Sequence, residues 1–145
     1  MQSFRKFFRQ SEEEEDLNGT LGKIPQSHKD LVSDYRFKFQ GGNTLKGDDQ
    51  HIGYMDAGTE EIAVAAPWNY GREFALLHEV GHTVWERLPK KLKDEWQTVV
   101  NNTKEKQNQS AEELFCMAYA NHYAKNKIVI HDHEEWHKFI ERLPK

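Results

Sequence analysis

The residues with the greatest chemical capacity are His78-Glu79-Val80-Gly81-His82, an H-E-x-x-H pattern. Side chains four apart on a helix share a face, so one turn can bring both imidazoles to a single metal ion. Glu79 then sits one step round the helix, able to touch a metal-bound water without ligating the metal. That suits zinc hydrolysis: two His ligands, a third protein ligand from elsewhere, and a fourth position left to water. Zinc lowers the pKa of that water from about 15.7 to roughly 7, and the carboxylate takes its proton. The cofactor expected is Zn2+, with His78 and His82 as ligands and Glu79 as general base.

A third His three or six residues beyond His82 would mark a metzincin, but Trp85 and Leu88 stand there. A Glu on a following helix would make a gluzincin, and Ser110-Ala111-Glu112-Glu113-Leu114-Phe115-Cys116-Met117-Ala118-Tyr119-Ala120 offers two. Small residues at Cys116 and Ala120 would let this helix approach the His78 helix closely. Ser110 and Glu113 also spell a capping box, S-x-x-E, so a purely structural role competes. Helical periodicity alone does not separate Glu112 from Glu113.

The pattern recurs at His133-Glu134-Glu135-Trp136-His137, and the segments His78–Lys90 and His133–Lys145 both end Glu-Arg-Leu-Pro-Lys. The second copy lacks the apolar flank. Its stripe of Trp136, Phe139, Ile140 and Leu143 accounts for one packed face, so it reads as a surface helix, with a second metal site as the sharper alternative.

These side chains need elements to hold them. Asp34-Tyr35-Arg36-Phe37-Lys38-Phe39 alternates aromatic and charged residues, the period of a strand. His51–Asp56 and Glu61–Ala66 read as two more strands, joined by a hairpin loop at Asp56-Ala57-Gly58-Thr59. Gly41-Gly42-Asn43 and Gly47-Asp48-Asp49 mark turns. A short helix is expected over Ser27–Ser33. Asn69 suits the N-cap of a helix from Gly71 to about Leu88, apolar on nearly every side and therefore buried. Pro89 stops it and opens an amphipathic helix from Lys90 to about Lys104, with Leu92, Trp96, Val99 and Val100 inward. Ser110 caps a helix to about Lys125, and Asp132 caps a last one through Leu143. Strands followed by helices give an α+β class, with a small, mostly antiparallel sheet packed on the active-site helix and a helical C-terminal part.

The chain has 145 residues with 30% charged and 37% hydrophobic side chains, enough for one modest core. Residues 1–20, with the acidic run Glu12–Glu15, read as a charged tail; residues 21–145 read as a single domain. Twenty basic against twenty-four acidic residues, net −4, argue against nucleic-acid partners. No run of eighteen apolar residues suggests a membrane span. The basic N-terminus has no apolar stretch behind it, so no secretory signal is expected, and Cys116 is the lone cysteine. A cytoplasmic location is the default expectation.

Gly53-Tyr54, Asp56, Gly58-Thr59, Ile62 and Val64, then Leu76-Leu77-His78-Glu79-Val80-Gly81-His82, then Glu113-Leu114-Phe115-Cys116-Met117-Ala118-Tyr119, together resemble the anthrax-lethal-factor-like zinc metallopeptidases. The Pro-Pro endopeptidases belong to that group. The resemblance spans about residues 50–125. It implies a zincin-like fold, a peptide or protein substrate, and Glu113 as the third ligand, since the family's ligand Glu precedes x-Phe-Ala. It also implies that a strand before the active helix, here Glu61–Ala66, pairs with an extended peptide. The family usually places a Tyr seven residues before the ligand Glu, to stabilise the oxyanion; this chain has Lys106. Tyr119, Tyr123 and His122 are the alternative donors, each with a plain reading as helix packing. Loss of such a donor costs about 10²–10³-fold in rate. The ImmA/IrrE-like regulators share H-E-x-x-H and a downstream Glu, but expect Ala-Asn where Cys116-Met117 stand.

The expectation is therefore a small zinc-dependent endopeptidase. The alternative is a non-enzymatic zincin in which zinc is structural or a partner is bound.

Overall fold

Each short strand carries the side-chain pattern of its place in the sheet. A computed structural model describes residues 17–39, 53–64, 73–103, 109–124 and 132–145. Strands β1 (Arg36–Phe39), β2 (Gly53–Asp56) and β3 (Glu61–Val64) form one sheet in the order β1-β3-β2. β2 alternates half-buried and exposed residues, whereas all four residues of β3 are buried. A strand buried on both faces belongs in the middle of a sheet. β3 pairs antiparallel with β2, Gly53 opposite Val64, and parallel with β1, Arg36 opposite Glu61. The sheet is thus mixed, one pair of each kind, rather than mostly antiparallel as expected. The antiparallel pair follows from the tight turn, where Asp56 Oδ1 accepts the N–H groups of Gly58 (2.9 Å) and Thr59 (3.3 Å). β1 joins the opposite edge of β3 and is not bound by that turn.

Six helices accompany the sheet among the described residues, so the class is α+β. Residues 17–21 form α1, and Gln26–Leu31 form α2. Thr20 and Leu21 are buried, so the packed body begins before residue 21; residues 1–16 of the expected tail lie outside the described residues. Buried His28 on α2 accepts from or donates to Tyr119 Oη through Nδ1 (3.0 Å) and contacts the Pro144 carbonyl through Nε2 (2.9 Å). Because that carbonyl can only accept, Nε2 carries the proton and Nδ1 accepts from the Tyr119 hydroxyl. Burial lowers the His28 pKa, consistent with a neutral ring.

Helix α3 (Glu73–Arg87) is apolar round most of its circumference, and Phe74, Leu76, Leu77, Val80 and Val84 are buried. The Asn69 cap and the strand end at Ala65 and Ala66 lie outside the described residues. Pro89, which has no N–H to leave unsatisfied, stands at the N-cap of α4 (Lys90–Asn101). α4 turns Trp96 and Val100 inward, and Trp96 Nε1 donates to the Ala111 carbonyl (2.7 Å). α5 (Ala111–Tyr123) begins at Ser110, whose Oγ accepts the N–H of Glu113 (3.2 Å). α6 (Glu134–Glu141) buries Trp136, Phe139 and Ile140, with Leu143 just beyond it. Trp96 packs on Phe115, Trp136 and Phe139, with ring centroids 5.1–5.8 Å apart. That aromatic layer ties α4, α5 and α6 into one core. No helix among the described residues is long and apolar enough to cross a membrane.

Candidate metal centre

Helix α5 packs directly against α3, and Gly81 makes room for it. A Cβ built there would stand 3.1 Å from Cys116 Cα and 3.4 Å from its Sγ. The missing side chain lets the first turns of α5 slide against the middle of α3. His78 and His82, one turn apart on α3, thereby face Glu112 and Glu113 at the start of α5.

The Nε2 atoms of both imidazoles converge on one carboxylate: His78 Nε2 lies 3.0 Å from Glu113 Oε2, and His82 Nε2 lies 3.2 Å from Glu113 Oε1. Glu112 does something different. Its Oε2 stands 2.7 Å from His82 Nδ1, the nitrogen that faces away from that point of convergence. Geometry therefore separates the two neighbours that periodicity could not. Glu113 shares the focus of both rings; Glu112 orients one ring from behind, as carboxylates do for metal-ligating His. Ser110 does cap α5, yet the Glu113 carboxylate is engaged with the imidazoles. Glu79 Oε1 is 4.0 Å from His82 Nε2, and its side chain is buried under β2. Gly53 makes room for it: a Cβ there would lie 3.3 Å from Glu79 Cγ and 3.0 Å from the Ala63 carbonyl oxygen.

Charge balance follows from this packing. Burial works against an imidazolium at His82, but the carboxylates of Glu113, Glu112 and Glu79 prevail and raise its pKa to about 9. Hydrogen bonds from His78 and His82 hold Glu113 far below the usual carboxylate range, against the effect of its partial burial. In the metal-free protein the group is thus a carboxylate clamped by imidazole N–H donors, and a dication would take the place of those protons.

Cys116, which the sequence presents only as a small residue permitting close approach, brings a thiol to the same place. Among the described residues, His78, His82 and Cys116 each place one ligand atom within 4.8 Å of the others. Cys116 is fully buried, and burial followed by the charges of Glu113, Glu79 and Glu112 pushes its thiol pKa up. The signal available in the sequence was its spacing: Cys116 follows Glu113 by three residues and so shares its helix face. The donors present, two imidazoles, a carboxylate and a thiol, are the types that zinc accepts, and Glu112 supplies the outer support.

Other expected residues lie elsewhere. Tyr119 is completely buried and bonded to His28, and burial pushes its hydroxyl pKa up strongly. Tyr123 packs between Tyr119 and His122, at ring distances of 5.1 and 4.7 Å. His122 contacts His137 and Glu141 on α6. At ~1.5 Å per residue these three stand roughly 9–15 Å further along α5 than Glu113, so none is placed as an oxyanion donor. Lys106 lies outside the described residues. β3 cannot be the strand that meets a peptide, because β1 and β2 occupy both its edges. Its continuous apolar run, Ile62-Ala63-Val64, had the signature of a central strand.

No protein-family model, no curated protein and no solved structure matches this chain.

Proposed function

We propose that this protein is a zinc-dependent endopeptidase of zincin-like build, with His78, His82 and Glu113 holding the metal. The observation that carries the reading is the convergence of both Nε2 atoms on the Glu113 carboxylate, with Glu79 Oε1 4.0 Å from His82 Nε2. Zinc, when bound, supplies a Lewis acid and makes a coordinated water acidic near neutral pH. Glu79 would take the proton of the attacking water and return it to the departing amine. Glu112 holds His82 through Nδ1, which would leave Nε2 to the metal. The Glu112 and Glu113 side chains are about 40% exposed, which leaves this side of the centre open to a peptide. Of the two edge strands, β2 carries Gly53 directly against Glu79, so an extended substrate would pair along β2.

The test is Glu79→Gln with a peptide-library cleavage assay and metal analysis. The variant should keep its zinc and lose cleavage; cutting at the wild-type rate would exclude the mechanism. A second reading has its own observation, the Cys116 donor beside both imidazoles. Four protein ligands would close the centre and make zinc structural. Cys116→Ala separates the two: a closed centre loses zinc affinity steeply, whereas a three-ligand centre retains it.

A further inference from the structure

The histidine of the second H-E-x-x-H copy meets a partner that its own helix does not supply. His137 on α6 faces His122 in the last turn of α5, with the two Nδ1 atoms 2.9 Å apart. The far nitrogen of each ring is held by a carboxylate. His122 Nε2 lies 2.7 Å from Glu141 Oε1, and His137 Nε2 makes a short contact with Asp132 Oδ1. From this juxtaposition we infer that His122 and His137 form a second metal site, for a borderline divalent transition metal such as zinc.

Carboxylates accept, so in two neutral rings each Nε2 carries the proton and each Nδ1 presents a lone pair. Two lone pairs at 2.9 Å repel, so a positive species, a metal ion or one added proton, belongs between them. Zinc–nitrogen bonds of about 2.0–2.1 Å at a tetrahedral angle separate two ligand nitrogens by roughly 3.3 Å. The rings need only a few tenths of an ångström of adjustment to reach that span. Carboxylates on the outer nitrogens are the usual support of metal-bound imidazoles, fixing tautomer and orientation.

Asp132 provides a separate indication. Its place in the sequence is that of an N-cap, but the N-cap of α6 is His133, which makes no side-chain cap bond. The Asp132 carboxylate is used on His137 instead.

The local field also favours a cation. His122 stands at the C-terminal, negative end of α5. Tyr123, raised to about 12 chiefly by burial, stays neutral beside it. Of the nearby cations, Lys145 pairs with Glu141 (3.0 Å) and Lys138 with Glu135 (3.5 Å). The His137 side chain is about a quarter exposed, so water can complete the coordination. A metal here would staple the end of α5 to α6, which otherwise holds through its apolar face.

The test uses the full chain, stripped of metal and titrated with zinc against a chromophoric chelator. Wild type should bind two ions, and the double variant His78→Gln/His82→Gln should still bind one. His137→Gln or His122→Gln should remove one ion, with an affinity loss of about 100-fold or more, and Asp132→Asn should weaken that site by about 10–100-fold. Copper(II) bound to the His78→Gln/His82→Gln variant should show coupling to two imidazole nitrogens in its paramagnetic spectrum. If that double variant does not fold, loss of one of two ions in His137→Gln carries the result alone. Unchanged stoichiometry and affinity in both His122→Gln and His137→Gln would overturn the site, leaving a shared proton between the rings. A wild type that binds one ion, lost in His137→Gln, would sink the His78 centre and leave this one standing.

Discussion

Gly81→Ala tests the packing on which the His78–Glu113 group depends. Two effects of opposite sign compete at this position. In a helix interior, Ala is favoured over Gly by about 1 kcal/mol. The new Cβ, however, would meet Cys116 Cα at 3.1 Å, a backbone atom that no rotamer change can move. Helix α5 would have to back away by a few tenths of an ångström, and overpacking of this kind costs about 1–3 kcal/mol. The expected balance is a net loss of about 1 kcal/mol, or about 3 °C in melting temperature. Because Glu113 travels with α5 while His78 and His82 stay on α3, zinc affinity should fall by about tenfold. Gly19→Ala is the control: it lies in helical residues 17–21 with nothing within 4 Å of its added Cβ. It should gain up to about 1 kcal/mol. Urea unfolding of both variants, with zinc titration of each, decides the matter. If Gly81→Ala is stabilised as much as Gly19→Ala, the two helices are not in the contact described and the argument fails.

Glu113→Gln should abolish tight zinc binding at the His78 centre, whereas Glu112→Gln should weaken it by about 10–100-fold, because only the first removes a donor at the focus of both rings. Chelator competition on the two variants checks this, and the reverse order would exchange their roles. The raised His82 pKa gives a pH signature in the metal-free protein. Its folded value of about 9 exceeds the unfolded value, so the stabilisation is complete below about pH 6.5 and is lost as pH rises through about 9. Screening at the partly exposed Glu112 and Glu113 limits it to about 1–2 kcal/mol. Denaturation in chelator at pH 6, 7.5 and 9 should show that decline; a flat profile would contradict it. Zinc must displace the same proton, so its affinity should climb by up to about tenfold per pH unit across that window.

Much of the framework was legible from residue order. A run apolar on nearly every side around two His one turn apart predicted a buried helix from Gly71 to about Leu88, and α3 spans Glu73–Arg87. Ser110 and Pro89 marked the starts of their helices, and the stripe from Trp136 to Leu143 marked the inner face of α6. These signals are local, set by capping groups and by the 3.6-residue period. Sheet topology was less legible, since pairing between β1 and β3 joins residues 25 apart in sequence, such as Arg36 and Glu61, with no turn to fix its direction.

What the sequence determined by itself was which side chains share one helix face: His78 with His82, and Glu113 with Cys116. Helical periodicity left two adjacent glutamates open, with only the resemblance favouring Glu113; that Glu113 meets both rings follows from α5 settling against α3 at Gly81. The same holds for the thiol of Cys116 lying beside both imidazoles, for His137 facing His122 rather than serving its own H-E-x-x-H copy, and for the removal of Tyr119 to His28. Each of these depends on the rotation and separation of two packed elements. A period along one chain fixes directions within a helix, but contacts between helices arise from the fit of both surfaces.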